Sequence, residues 1–121
     1  MANKPSTRQQ AQLDYLKTLP PKVERIRRTI EAMAILQADE ASVRALGRIL
    51  DEIKANCQQK GLHRLAETAG SMAMLSRRGG GQQVKVRGLR ELLGSFQMNL
   101  EGAHRAALVP EAAAQDKEPG A

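Results

Sequence analysis

The chain has 121 residues, of which 41% are hydrophobic and 26% are charged, as expected for one folded domain and not for a disordered chain. Its aromatic residues are Tyr15 and Phe96, so the core has to be aliphatic. The net charge of +6 at pH 7 favours an acidic partner, either nucleic acid or an acidic protein surface. No segment approaches the roughly 20 consecutive apolar residues of a membrane-spanning helix, so we expect no contact with a membrane.

Two further features bear on the compartment. Cys57 is the single cysteine, so an internal disulfide is impossible and a reducing compartment is the simpler interpretation. The stretch from Met1 to Ser6 lacks the apolar segment of a secretory signal. We therefore expect a cytoplasmic protein.

Helical periodicity begins after a polar start, residues 1–8, which we interpret as flexible. A short helix is predicted from roughly Thr7 to Thr18, with Leu13 and Leu16 as its apolar residues. Pro20 and Pro21 interrupt it and suit the first turn of a second helix, because proline is tolerated where its missing N–H is not needed. The apolar positions of that second helix recur in steps of three and four residues, which is typical of one helix face: Leu19, Val23, Ile26, Ile30 and Met33.

Three longer helices are predicted after the second one. Asp39 is suited to cap the third, and Gly61 to end it. Three glycines, 79–81, form a flexible loop before the last helix, which should begin within 84–89 and end at Pro110. The predicted apolar stripes are Val43, Leu46, Leu50, Ile53 and Cys57, then Leu62, Leu65, Ala66, Ala69, Met72 and Ala73, and finally Leu89, Leu92, Leu93, Phe96, Leu100, Ala103 and Ala107.

Four longer helices with short connections predict an all-α fold, an up-and-down antiparallel four-helix bundle with a short extra N-terminal helix. The domain organisation that we predict is a flexible N-terminus at 1–8, the bundle at 9–108 and a disordered tail at 109–121. The tail has no apolar face with which to pack.

The segment from Asp51 to Leu62 contains the most informative motif. Counting from Asp51, an apolar residue stands two positions on, a lysine three, small residues four and six, and a glycine ten: Ile53, Lys54, Ala55, Cys57 and Gly61. This pattern resembles the signature of histidine-phosphotransfer (HPt) domains, in which a phospho-accepting histidine occupies the place of Asp51. The likeness extends over roughly residues 13–108 and implies the four-helix-bundle fold.

The resemblance also implies a docking face around Asp51, where small residues leave room for a partner and a lysine offsets phosphoryl charge. Helical spacing puts Asp51 away from the apolar stripe, with its neighbours on that face one or two turns away. The partner-binding residues that we predict are Asp51, Lys54, Gly47, Arg48, Arg44, Ala55 and Gln58.

The aspartate changes the chemistry that this face can perform. A lone carboxylate lacks the imidazole nitrogen that accepts a phosphoryl group, and no acidic cluster is evident that would hold Mg²⁺ beside it. We therefore expect no enzyme activity, no cofactor and no metal site. The prediction is a monomeric, pseudo-HPt interaction module of bacterial two-component or phosphorelay signalling, whose partner is the receiver domain of a response regulator or a histidine kinase.

The charge of Asp51 is unfavourable for the predicted partner, and the residues around it also have a simpler interpretation. Receiver pockets are acidic, so they should repel Asp51 unless a cation bridges the two, although the aspartate could also imitate the charge of a phosphohistidine. The simpler interpretation is that Asp51, Arg48 and Lys54 form only a solvated ion-pair face, which stabilises a helix by a few tenths of a kcal/mol per pair.

Two other functions stay open at this point. His63 or His104 could accept a phosphoryl group and make the chain an active phosphotransfer protein. Alternatively, the basic body could bind nucleic acid, for which the scarcity of aromatic residues is unfavourable. The cations available to hold phosphates are those around the glycine loop: Arg77, Arg78, Lys85, Arg87 and Arg90.

Overall fold

The computed structural model describes residues 5–109, which form five α-helices and no strand within that range. The helices are α1 (Thr7–Leu16), α2 (Leu19–Ala34), α3 (Glu40–Gln59), α4 (His63–Arg77) and α5 (Gln82–Leu108). Helices α2 to α5 pack as an up-and-down antiparallel bundle, and the short α1 packs against α5 and α2. The predicted all-α fold is confirmed.

The start of α1 lies within the segment predicted to be flexible. The Ser6 hydroxyl accepts a hydrogen bond from the backbone N–H of Gln9 at 3.0 Å, and the Gln9 side chain accepts one from the Ser6 N–H at 3.0 Å. This reciprocal cap satisfies two N–H groups that a helix start leaves open, so α1 already includes Thr7 and Arg8. The predicted tail, 109–121, lies outside the described residues except for Val109, whose carbonyl accepts a hydrogen bond from the Gln9 side chain.

The predicted boundaries of α3 are confirmed. The Asp39 carboxylate accepts a hydrogen bond from the Ser42 N–H at 2.7 Å and caps the helix. Gly61 has a φ of 73°, a left-handed conformation that glycine adopts without strain, and it ends the helix. Helix α5 begins at Gln82, ahead of the predicted range, because the helix starts directly after the glycine loop.

The core consists of residues from the predicted apolar stripes together with Val86 of α5, which was not predicted, and Phe96 at the centre of α5 is only 1% exposed. Val43, Leu92, Leu100 and Ala103 are partly buried at its edge. Two buried glutamines, Gln9 and Gln12, were not predicted. The side chain of Gln12 donates a hydrogen bond to the Lys60 carbonyl at 2.8 Å, which fixes α1 to the end of α3. No helix within 5–109 combines the length and the apolar character that crossing a bilayer requires.

Helices α3 and α4 form the hairpin that carries the predicted docking face. Two close approaches define their register: Arg77 of α4 lies over Gly47 of α3, and Lys54 of α3 lies over Gly70 of α4. Both pairs are equally spaced about the turn that contains Gly61. The middle of α3 is therefore level with the second half of α4.

Candidate functional site

Asp51 lies in the middle of α3 on the solvent-exposed side of the hairpin, and Arg77 of α4 binds its carboxylate with both guanidinium Nη atoms. The Nη1–Oδ1 distance is 3.2 Å and the Nη2–Oδ2 distance is 2.5 Å. Such a two-pronged contact is the geometry that suits a planar guanidinium and a carboxylate. The side chains are 52% (Arg77) and 51% (Asp51) exposed, so the pair lies at the surface.

This contact stabilises the ionised form of the aspartate. The hydrogen bonds from Arg77 hold the pKa of Asp51 below its usual value. Desolvation acts in the opposite direction, and the charges of Arg77 and Lys54 make smaller contributions that lower the pKa further. The contact thus favours the ionised form of the carboxylate, and the adjacent guanidinium compensates its charge.

Gly47 explains how Arg77 reaches the aspartate. A Cβ atom at Gly47 would lie 3.0 Å from Nη2 and 3.2 Å from Cζ of Arg77, so the guanidinium rests on the bare backbone of α3. The prediction that Gly47 leaves open room for a partner is therefore wrong. The residue is buried, because a side chain of the same protein fills the space beside it.

Lys54 of α3 packs over a glycine of α4 in the same way that Arg77 of α4 packs over a glycine of α3. Its Cδ atom lies 3.2 Å from the position that a Cβ atom would take at Gly70 of α4. The aliphatic part of the lysine packs on α4 while the residue as a whole remains exposed. Two glycines thus allow a cation from each helix to lie across the other, on either side of Asp51.

The remaining predicted residues are exposed on the same side of α3. They lie one or two turns from Asp51, as predicted: Arg44, Arg48, Ala55 and Gln58. Glu52, the acid next to Asp51 in the chain, belongs to another surface, where Lys22 of α2 contacts it at 3.3 Å. The face around Asp51 therefore carries one carboxylate among several cations and is positive overall. We call it the Asp51 face, defined by Arg44, Arg48, Asp51, Lys54, Ala55, Gln58 and Arg77.

Neither histidine belongs to the Asp51 face. His63 is the first residue of α4 and is exposed. The hairpin register puts Asp51 level with Ala73, so His63 lies about 15 Å further along the bundle at about 1.5 Å per residue. His104 is exposed on α5, where it lines a separate groove of about 550 Å³ with Leu16.

The cations near the glycine loop do not form one free cluster. Arg77 binds Asp51, and Arg90 binds Glu31 of α2 through two hydrogen bonds of 3.0 and 2.7 Å. Two of the cations considered for binding nucleic acid are therefore each paired with a carboxylate of a neighbouring helix.

Cys57 is fully buried on the core side of α3, and burial raises the pKa of its thiol to about 11. A thiol in this state is neutral and unreactive at physiological pH. Within the described range, no group of three or more His, Cys, Asp or Glu side chains is arranged to hold a metal ion.

The sequence pointed to Arg77 only as a candidate phosphate-binding cation beside the glycine loop, and not as the residue that binds Asp51. A usable signal was present in the hairpin symmetry, since a turn near Gly61 pairs position 47 with position 77.

No family model, no curated protein and no solved structure matches this chain.

Proposed function

We propose that the protein is a non-catalytic, HPt-like interaction module that docks the receiver domain of a response regulator, or a histidine kinase, through the Asp51 face. The observation that carries the proposal is the bidentate contact between Arg77 and Asp51. A receiver pocket is acidic and would repel an unpaired aspartate. With Arg77 bound to it, Asp51 no longer presents an uncompensated negative charge, and the surrounding cations complement an acidic partner.

The shape of the surface supports the same function. Ala55 is exposed one turn beyond Asp51 and offers little obstruction, and the α3–α4 hairpin gives the face a rigid base. Asp51 has no imidazole nitrogen with which to accept a phosphoryl group, and its oxygens are engaged by Arg77. The role that this combination favours is recognition without transfer.

The test is titration of the full chain with purified receiver domains and kinase domains, followed by calorimetry. Ala55→Trp adds a bulky side chain to the face, and we expect it to weaken binding strongly. Ala106→Trp is the matched control, because Ala106 is also an exposed alanine in a helix but lies on α5. Equal affinities for the two variants, or no binding by the parent chain, would refute the proposal.

Charge reversal provides an independent arm. Arg48→Glu inverts one cation of the face, whereas Arg64→Glu makes the same change at an exposed position near the start of α4. Both variants lower the net charge equally, so any loss of affinity for the partner that is due to net charge alone should be the same in both. We expect Arg48→Glu to lose more affinity than Arg64→Glu. If both lose affinity equally, the partner responds to overall charge and not to the Asp51 face.

The alternative that the protein is an active phosphotransfer protein is tested by incubating the chain with a phosphorylated receiver or kinase. An acid-labile label that disappears in His63→Ala or His104→Ala would support that alternative and contradict the non-catalytic function proposed here.

A further inference from the structure

A shallow pocket opens between the N-terminal half of α3 and the end of α4, next to the Asp51–Arg77 contact. Its volume is about 360 Å³. Three of its lining residues are arginines, Arg44, Arg48 and Arg77, and the other two are Val43 and Ser76. No carboxylate lines it. Arginines from two different helices thus converge on one space that the protein itself leaves open.

The arginines of this pocket have donors to spare. Within 5–109, the side chain of Arg48 makes no hydrogen bond or ion pair with another residue. Arg44 approaches Glu40 at 3.6 Å, but that glutamate side chain is 95% exposed, so the contact is weak. A guanidinium has five N–H groups, and Arg77 uses only its Nη atoms on Asp51.

We infer that this pocket is a binding site for a phosphomonoester group. Arginine forks match the oxygens of a phosphate in pairs, and a dianion gains most from several guanidinium groups that converge. The last turn of α4 adds carbonyl groups that disfavour an anion, so the attraction has to come from the arginine side chains. This inference is independent of the signalling partner proposed above.

Arg77 links the pocket to Asp51. The same guanidinium lines the pocket and binds the aspartate, so a phosphate and Asp51 share one positive charge even though Arg77 has spare N–H donors. Binding of phosphate should therefore loosen the Asp51 contact. By thermodynamic reciprocity, weakening that contact should strengthen binding of phosphate.

The experiment is calorimetric titration of the full chain with inorganic phosphate in a phosphate-free buffer of low ionic strength. We expect Arg48→Gln to weaken binding about tenfold, the loss of one or two charge-assisted hydrogen bonds. Arg64→Gln removes the same charge from an exposed site elsewhere on the hairpin and should have a much smaller effect. Thermal unfolding followed by circular dichroism establishes that each variant folds.

The second arm tests the competition. Asp51→Asn should tighten phosphate binding several-fold, and Glu67→Gln, an equal change of charge at an exposed position of α4, should tighten it much less. Titrations with phosphoserine and with adenosine monophosphate then distinguish a phosphorylated side chain from a nucleotide as the source of the group. The inference is overturned if phosphate does not bind, or if Arg48→Gln and Arg64→Gln weaken binding equally.

Discussion

Gly47 offers the sharpest test of how the Asp51 face is built. Glycine inside a helix is less favourable than alanine by about 1 kcal/mol, so Gly47→Ala should stabilise α3 unless the new methyl group meets something rigid. Its nearest neighbour would be Nη2 of Arg77 at 3.0 Å, the end of a long and half-exposed side chain. That side chain can move, and an ion pair this exposed contributes little to stability. We therefore expect a net gain in stability.

The magnitude follows from these two opposing effects. A gain approaching 1 kcal/mol in a domain of roughly 100 residues raises the melting temperature by about 4–8 °C, and displacement of Arg77 reduces this gain. Gly94→Ala is the matched control, because Gly94 is a helical glycine of α5 whose added Cβ atom would have no described neighbour within 4 Å. The control should show the full gain, and Gly47→Ala a smaller one.

The assay is thermal unfolding followed by circular dichroism, combined with an NMR titration of the Asp51 carboxyl group. When Arg77 is displaced, the pKa of Asp51 should rise toward its usual value, and it should stay unchanged in Gly94→Ala. A lower melting temperature for Gly47→Ala than for the parent chain would refute the reasoning, because it would mean that Arg77 is held rigidly. An unchanged pKa of Asp51 in Gly47→Ala would refute the displacement itself.

Three further predictions concern the core and the carboxylates. Phe96→Ala should lower the free energy of unfolding by about 3–5 kcal/mol in denaturant titrations, whereas Met98→Ala on the exposed side of α5 should change it by less than about 0.5 kcal/mol; similar losses for both would contradict the core described above. Because its folded pKa is lowered, Asp51 contributes stability that is complete above its unfolded pKa, near the usual 3.8, and is lost as the pH falls through the folded value. Acidification from neutral pH should accordingly cost Arg77→Gln less stability than it costs the parent chain, and parallel losses would exclude this coupling. Among residues 5–109, the buried Tyr15 hydroxyl has no hydrogen-bond partner other than the weakly bonding Cys57 thiol, so Tyr15→Phe should raise the free energy of unfolding, by at most about 1 kcal/mol; destabilisation would indicate that the hydroxyl is satisfied by the thiol.

The helices and the core could be predicted from the sequence because their signals are local. Apolar residues spaced by three and four positions identify one face of a helix wherever that helix finally packs. The cap at Asp39 depends on an N–H only three residues away, and the left-handed turn at Gly61 depends on a residue without a Cβ atom. Short connections then leave an antiparallel bundle as the natural packing.

The arrangement around Asp51 was decided by tertiary structure. Its position on an exposed face follows from helical geometry, but its binding partner, Arg77, lies 26 residues away on another helix. Periodicity treats Arg77 and Arg78 alike, as two cations beside a glycine loop. Only the register of the hairpin puts one of them over Gly47 and within reach of the carboxylate. The sequence by itself determined the bundle and the exposure of the aspartate. The packing of α3 against α4 determined that Arg77 pairs with the ionised aspartate and covers Gly47.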